Sequence, residues 1–252
     1  MSAPVIPGAE AWSHVGTRDA GALVLHGFTG NPSSMRELAE AFALAGFHVE
    51  LPRLSGHGTA VADMIPTCWA DWSGDAERAL GALTTRCSKV VVAGLSMGGA
   101  LTLWLASRHP DIAGIVCVNP AAQPLADEMM QAIAGMVDGG IETFPGIGSD
   151  IADPDVNESS YPETPVRALQ SMFVDGVVPL SASYPSIRVP LLLFSSVNDH
   201  VVDPAQGDFL VRAYGGTVER VMLERSFHVA TQDYDKQVIN DGAVRFAERV
   251  TS

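Results

Sequence analysis

A serine set between two glycines, in the run Gly94-Leu95-Ser96-Met97-Gly98, follows an apolar segment that begins at Lys89. In a strand-to-helix turn of the Gly-x-Ser-x-Gly form, the serine is lifted above the sheet edge, and the glycines let the next helix approach the strand before it. The Ser96 hydroxyl is then a nucleophile, and the Met97 N–H points from a helix N-terminus toward a developing oxyanion. A serine at its own pKa attacks poorly, so a base must take its proton. The pentapeptide alone also fits an ordinary glycine-rich turn, and the residues that follow in the chain decide between the two.

Two later segments supply an acid and a base in the order that such a turn requires, Ser then Asp then His. Val189 to Ser195 reads as a buried strand with Asp199 in the loop after it, and Val218 to Leu223 reads as the next strand with His228 in its loop. Loops at the carboxyl ends of parallel strands are where open α/β sheets carry their sites. A neutral His228 would accept the serine proton and return it to the leaving alcohol, while Asp199 fixes the ring's tautomer and stabilises the imidazolium. Asp203 is a rival acid, but Pro204 after it marks a helix start where Asp caps. A second oxyanion donor is expected from the loop after the early apolar strand at Ala22 to Leu25, in His26-Gly27-Phe28-Thr29-Gly30. Phe28 and Met97 are the backbone pair, and their side chains are expected to be free to line an acyl pocket.

Together, His26-Gly-Phe-Thr-Gly30, Gly94-Leu-Ser-Met-Gly98, Asn198-Asp-His-Val-Val202 and Ser226-Phe-His-Val-Ala230 resemble the α/β-hydrolase carboxylesterases of bacteria, especially the small monoacylglycerol lipases. The resemblance runs from about residue 15 to the end. It is most specific in Pro145-Gly-Ile-Gly-Ser-Asp-Ile151 and Tyr161-Pro-Glu-Thr-Pro-Val166. It implies Ser96, Asp199 and His228 as a triad, Phe28 and Met97 as oxyanion donors, and no cofactor. It also implies that Glu158 holds the glycerol head, with apolar Ile147 beside it. A carboxylate accepts two hydrogen bonds from a diol, which a simple alkyl or aryl alcohol does not offer. The same triad also serves general carboxylesterases and thioesterases, and a ligand-binding relative without turnover is the reading from another class.

Composition narrows the partners. The chain has 252 residues, 47% of them hydrophobic, which suits one large α/β domain, 1–252, with an insertion. A formal net charge of −14 repels nucleic acid and anionic lipid surfaces at long range and is otherwise mostly a solubility device, while a neutral ester, the small-molecule partner with an acyl chain that the resemblance implies, is the easier substrate to approach. Nothing in the sequence specifies an oligomeric state. Cys68, Cys87 and Cys117 have no metal-like spacing and read as reduced, mostly packed thiols, and no metal site is expected. No secretory signal or apolar run long enough to span a bilayer is visible, so a cytoplasmic location is expected.

Strand and helix alternate along the chain, which argues a mostly parallel sheet with helices on both faces. Helices are expected at Pro32 to Ala45, Asp71 to Leu83, Met97 to Arg108 and about Asp235 to Val250. The alternation breaks across about residues 120–188, with helices expected at Leu125 to Val137 and Pro165 to Val174 and no strand period between them. An insertion of this length between sheet strands is expected to form a small cap over the site. Met129, Met130, Met136, Met172 and Phe173 give it apolar surface, which fits an alkyl chain or a packed core equally well. His57, in Gly56-His57-Gly58, reads as turn packing with a hydrogen bond.

Overall fold

The structure, a computed structural model, describes residues 3–252. In chain order the elements are β1 (Trp12–His14), β2 (Ala20–Leu25), α1 (Arg36–Leu44), β3 (His48–Leu51), α2 (Val61–Met64), α3 (Trp69–Thr84), β4 (Lys89–Leu95) and α4 (Met97–Arg108). They continue with β5 (Gly114–Val118), α5 (Asp127–Asp138), β6 (Thr143–Pro145), β7 (Glu163–Pro165), α6 (Val166–Ser171), α7 (Val178–Ser181), β8 (Leu191–Ser196), α8 (Ala205–Ala213), β9 (Val218–Leu223) and α9 (Lys236–Thr251).

Seven strands form one sheet in the order β1-β3-β2-β4-β5-β8-β9. Only β1 runs antiparallel, against β3. Strands β2, β4, β5 and β8 are buried along their whole length or nearly so, as their unbroken apolar runs require when helices cover both faces. One apolar cluster unites α1 and α9 with one face of the sheet, through Phe42, Ile239 and Phe246. The other unites α3, α4 and α8 with the opposite face, through Trp72, Leu101 and Leu210. Gly46, at φ +90°, closes α1.

The chain between β5 and β8 does two things. Residues 119–165 stand over the carboxyl ends of the strands, whereas the run from α6 to Ile187 packs into the sheet's own core through Val166, Met172, Val177, Leu180 and Tyr184. A parallel connection needs such a crossover to bring the chain back to the far end of the sheet. The expected helix at Pro165 to Val174 is longer and irregular: α6 continues through a π-helical turn at Met172–Val177 into α7. The stretch expected to lack strands holds a short antiparallel pair, β6 with β7, in the register Phe144 to Thr164.

Candidate active site

Strand β4 ends at Leu95 and α4 begins at Met97, which leaves Ser96 alone at the corner with φ 56° and ψ −116°. A non-glycine residue there is strained, and close packing holds it in place. A Cβ at Gly94 would come within 2.1 Å of the Gly98 carbonyl oxygen, and one at Gly98 within 2.2 Å of the Leu25 oxygen, so both small positions are compulsory. The loop after β2 lies against this corner: a Cβ on Gly27 would touch the Ser96 Cβ at 3.4 Å. Among the described residues, neither the Phe28 nor the Met97 N–H donates to a protein acceptor. Their side chains part company. Phe28 lines the cavity over Ser96, but Met97 is fully buried in the core and takes no part in the lining, contrary to expectation, because the first turn of α4 faces the sheet.

Asp199 follows β8 and His228 follows β9, neighbouring strands at the sheet edge. His228 Nδ1 lies 2.8 Å from Asp199 Oδ2, with both side chains nearly sealed from solvent. The other oxygen, Oδ1, accepts the Val201 and Val202 N–H groups, each at 2.8 Å. Asp203 instead uses its Oδ1 to cap the Ala205 amide at the start of α8. Ser96 and His228 open on one cavity of about 370 Å³.

Residues 119–165 roof that cavity. Met129 and Met136 from this roof, with Met172 and Phe173 from the crossover, line it, while Met130 packs against the core. Ile147 and Glu158 also line it, Ile147 largely exposed at the mouth and Glu158 half-buried. Glu158 Oε1 sits 3.0 Å from where a Gly30 Cβ would be, so a side chain at position 30 would press on the carboxylate. Its carboxyl is raised above the ordinary range, chiefly by desolvation, with nearby His228 and Ser160 opposing and Asp150 adding to the rise. The strap between β6 and β7 is moored on the loop after β2: Tyr161 N–H donates to the Thr29 carbonyl at 3.0 Å, and Asn31 Nδ2 donates to Ser159.

Residues 22–240 match the alpha/beta hydrolase family. The chain belongs to the alpha/beta hydrolase family. It is 42% identical to a thermostable monoacylglycerol lipase of Bacillus sp. (strain H-257), over 96% of each chain. A carboxylesterase of Bacillus subtilis is 23% identical, covering 92% of this chain and 94% of its own. The solved structure reported with the metagenome-derived lipolytic enzymes LipS and LipT superposes with a TM-score of 0.92 at 42% identity, covering 98% of this chain and 100% of that one.

Several side chains of this hydrolase escaped the sequence reading. Asn119, at the end of β5 with φ 43°, donates through Nδ2 to the His228 carbonyl at 2.8 Å and to Ser196 Oγ, while its Oδ1 accepts the Ser196 N–H at 2.7 Å. It thereby ties the histidine loop to the sheet. Asp233 accepts the N–H groups of Ala152, Asp153 and Phe227, and Asp150 accepts that of His228. His57 and His26 are fully buried beneath Phe28. The His57 Nδ1 pairs with the Ser55 carbonyl, as turn packing predicts, and Nε2 has no partner among the described residues. The three thiols are free; burial raises those of Cys87 and Cys117. Among the described residues no helix is long and apolar enough to cross a membrane.

Proposed function

We propose that this hydrolase cleaves carboxylic esters through Ser96, His228 and Asp199, with monoacylglycerols as its preferred substrates. The observation that carries the reading is one cavity that joins a strained serine corner and an Asp-paired histidine to an apolar chamber and a carboxylate. Ser96 Oγ attacks the ester carbonyl while His228 Nε2 takes its proton, and the oxyanion is received by the Phe28 and Met97 N–H groups. Collapse expels the alcohol, which takes the proton from His228. Water then repeats the sequence on the acyl-enzyme and frees the acid. Leu125, Ile133, Met136, Leu169 and Met172 offer the acyl chain an apolar wall. A glycerol head at the mouth leaves its two free hydroxyls to the desolvated Glu158, beside Ile147. The 42% identity to a monoacylglycerol lipase supports the same leaving group. Residues 120–188 act as the cap, their first part as roof and their second as wall.

The test compares kcat/KM for a monoacylglycerol, a diacylglycerol, an alkyl ester and an acyl thioester of matched acyl length, with Ser96→Ala as the blank. The monoacylglycerol leads, and Ser96→Ala loses on the order of 10⁶-fold while remaining folded. A lead for the thioester or alkyl ester would reassign the leaving group, and full turnover by Ser96→Ala would end the serine mechanism.

A further inference from the structure

The catalytic acid and base ride on separate loops that leave the sheet at β8 and β9, and past the strand ends no ladder fixes one against the other. A single carboxylate from the strap between β6 and β7 spans them. Asp150 Oδ2 accepts the backbone N–H of His228 at 3.0 Å and that of His200 at 3.1 Å, while Oδ1 lies 2.8 Å from His200 Nδ1. The Asp150 carbonyl accepts the Val229 N–H at 3.1 Å. The His200 ring, next in sequence to Asp199, packs edge-on against Phe227, next to His228, at 4.6 Å. The aspartate side chain is only 11% exposed although it reaches the cavity. Asp233 answers from the histidine side by accepting the Ala152 and Asp153 amides of the strap.

We propose that Asp150 is a positioning residue for ester hydrolysis, holding the Asp199 and His228 loops in mutual register so that the roof over the substrate also aligns the proton-transfer pair. The inference rests on the serine-esterase reading given above. An amide hydrogen bond to a carboxylate is shorter and stronger than one to a neutral acceptor, and here both loop amides share one such oxygen. Removing the carboxylate leaves those amides and the His200 ring without their acceptor and frees the loops to shift. Displacement of catalytic groups by an ångström is enough to slow the chemical step while substrate still binds.

The experiment measures kcat and KM of the wild type, Asp150→Ala, Asp150→Asn and His200→Ala on an aryl ester and a monoacylglycerol of the same acyl chain. It also records the rate at which a small fluorophosphonate labels Ser96. Asp150→Ala lowers kcat roughly 10- to 100-fold on both esters, with KM within about 3-fold, and labelling slows in parallel. Asp150→Asn recovers most of the loss, because its oxygen can still accept both amides and its NH₂ can donate to His200. His200→Ala, which removes the ring's contacts with Asp150 and Phe227 but leaves the backbone N–H of residue 200 on Asp150 Oδ2, lowers kcat less, and it decides the matter should Asp150→Ala not fold. A kcat that stays within about 3-fold in Asp150→Ala and His200→Ala overturns the inference. So does a loss confined to KM or to the glycerol ester, which marks direct substrate contact, and so does an Asn variant no better than Ala. A wild type that hydrolyses neither ester and does not label overturns the serine-esterase reading itself.

Discussion

A carboxylate steers a histidine ring well only when its own orientation is fixed, and Asp199 meets that condition with Oδ1 locked by two loop amides and Oδ2 left for His228. Asp199→Asn should therefore lower kcat/KM by about 10⁴-fold, because an amide favours the wrong ring tautomer. Asp203→Asn should change it little, since Asn caps a helix as well as Asp does. Kinetics of the two variants check this, and the reverse result would move the acid to Asp203. At the other end of the site, Glu158→Leu would remove the acceptor proposed for the diol. Hydrogen bonds to a charged group are worth roughly 1.5 to 3 kcal/mol, or about 10- to 150-fold in kcat/KM for a monoacylglycerol. An aryl ester of the same acyl chain should barely respond, and equal losses on both would make Glu158 a bystander. Asp199 could be singled out because its type and its place between Ser96 and His228 announce a chemistry, whereas Glu158 came only through the family resemblance. Asn119 and Asp150 were not legible, because what they hold is backbone far away in the chain, and an amide leaves no mark in the side-chain pattern.

Some elements were readable to the residue, as α4 at Met97–Arg108, bounded by the serine turn and by His109-Pro110, and β9 at Val218–Leu223 illustrate. The crossover was misjudged because its glycine looks like a helix stop. Gly176 sits in the π-helical turn against the Trp69 ring, where a Cβ would come within 2.5 Å, so packing between elements selected it. Strands β6 and β7 have three residues each, too few to display any period. The contrast between packed and open glycines gives a paired prediction. Gly98→Ala must drive α4 away from β2 and should cost activity by at least about 100-fold with a lowered Tm. Gly135→Ala, in the middle of α5 with nothing near its Cβ, should instead stabilise by about 0.4 to 1 kcal/mol. Thermal melts and turnover of the two proteins decide it, and a harmless Gly98→Ala would mean that the corner tolerates slack.

At the scale of the whole molecule, the two buried histidines make the fold sensitive to mild acid. Desolvation holds His57 down to about 4 and His26 to about 3, against 6.5 for the exposed ring. Below pH 6.5 the unfolded chain takes up protons that the folded one refuses, so stability is full above that pH and falls as pH drops toward 4. Each histidine contributes a slope of up to about 1.4 kcal/mol per pH unit. His57→Phe keeps the aromatic packing on Phe28 and Trp72 but cannot titrate. Urea unfolding at pH 6.5 and 5.0 should show a drop smaller by about 2 kcal/mol than in the wild type. Identical drops would clear His57 of the acid sensitivity.

The order of strands also sets an order in time. Strands β2 to β5, with the Ser96 corner among them, pair within the first half of the chain, whereas β8 reaches β5 only across about 70 residues of intervening polypeptide. Closing a loop of that length costs entropy before pairing can reward it, so the half that bears the acid and base should join late. All four tryptophans, Trp12, Trp69, Trp72 and Trp104, lie in the early half, and of these Trp69 also packs on Gly176 of the crossover. Their fluorescence should recover on refolding before ester turnover returns, and simultaneous recovery would mean a single cooperative step. Emerging from a ribosome, the chain would carry the Ser96 corner for several seconds before the His228 loop, about 130 residues further along the sequence, is made.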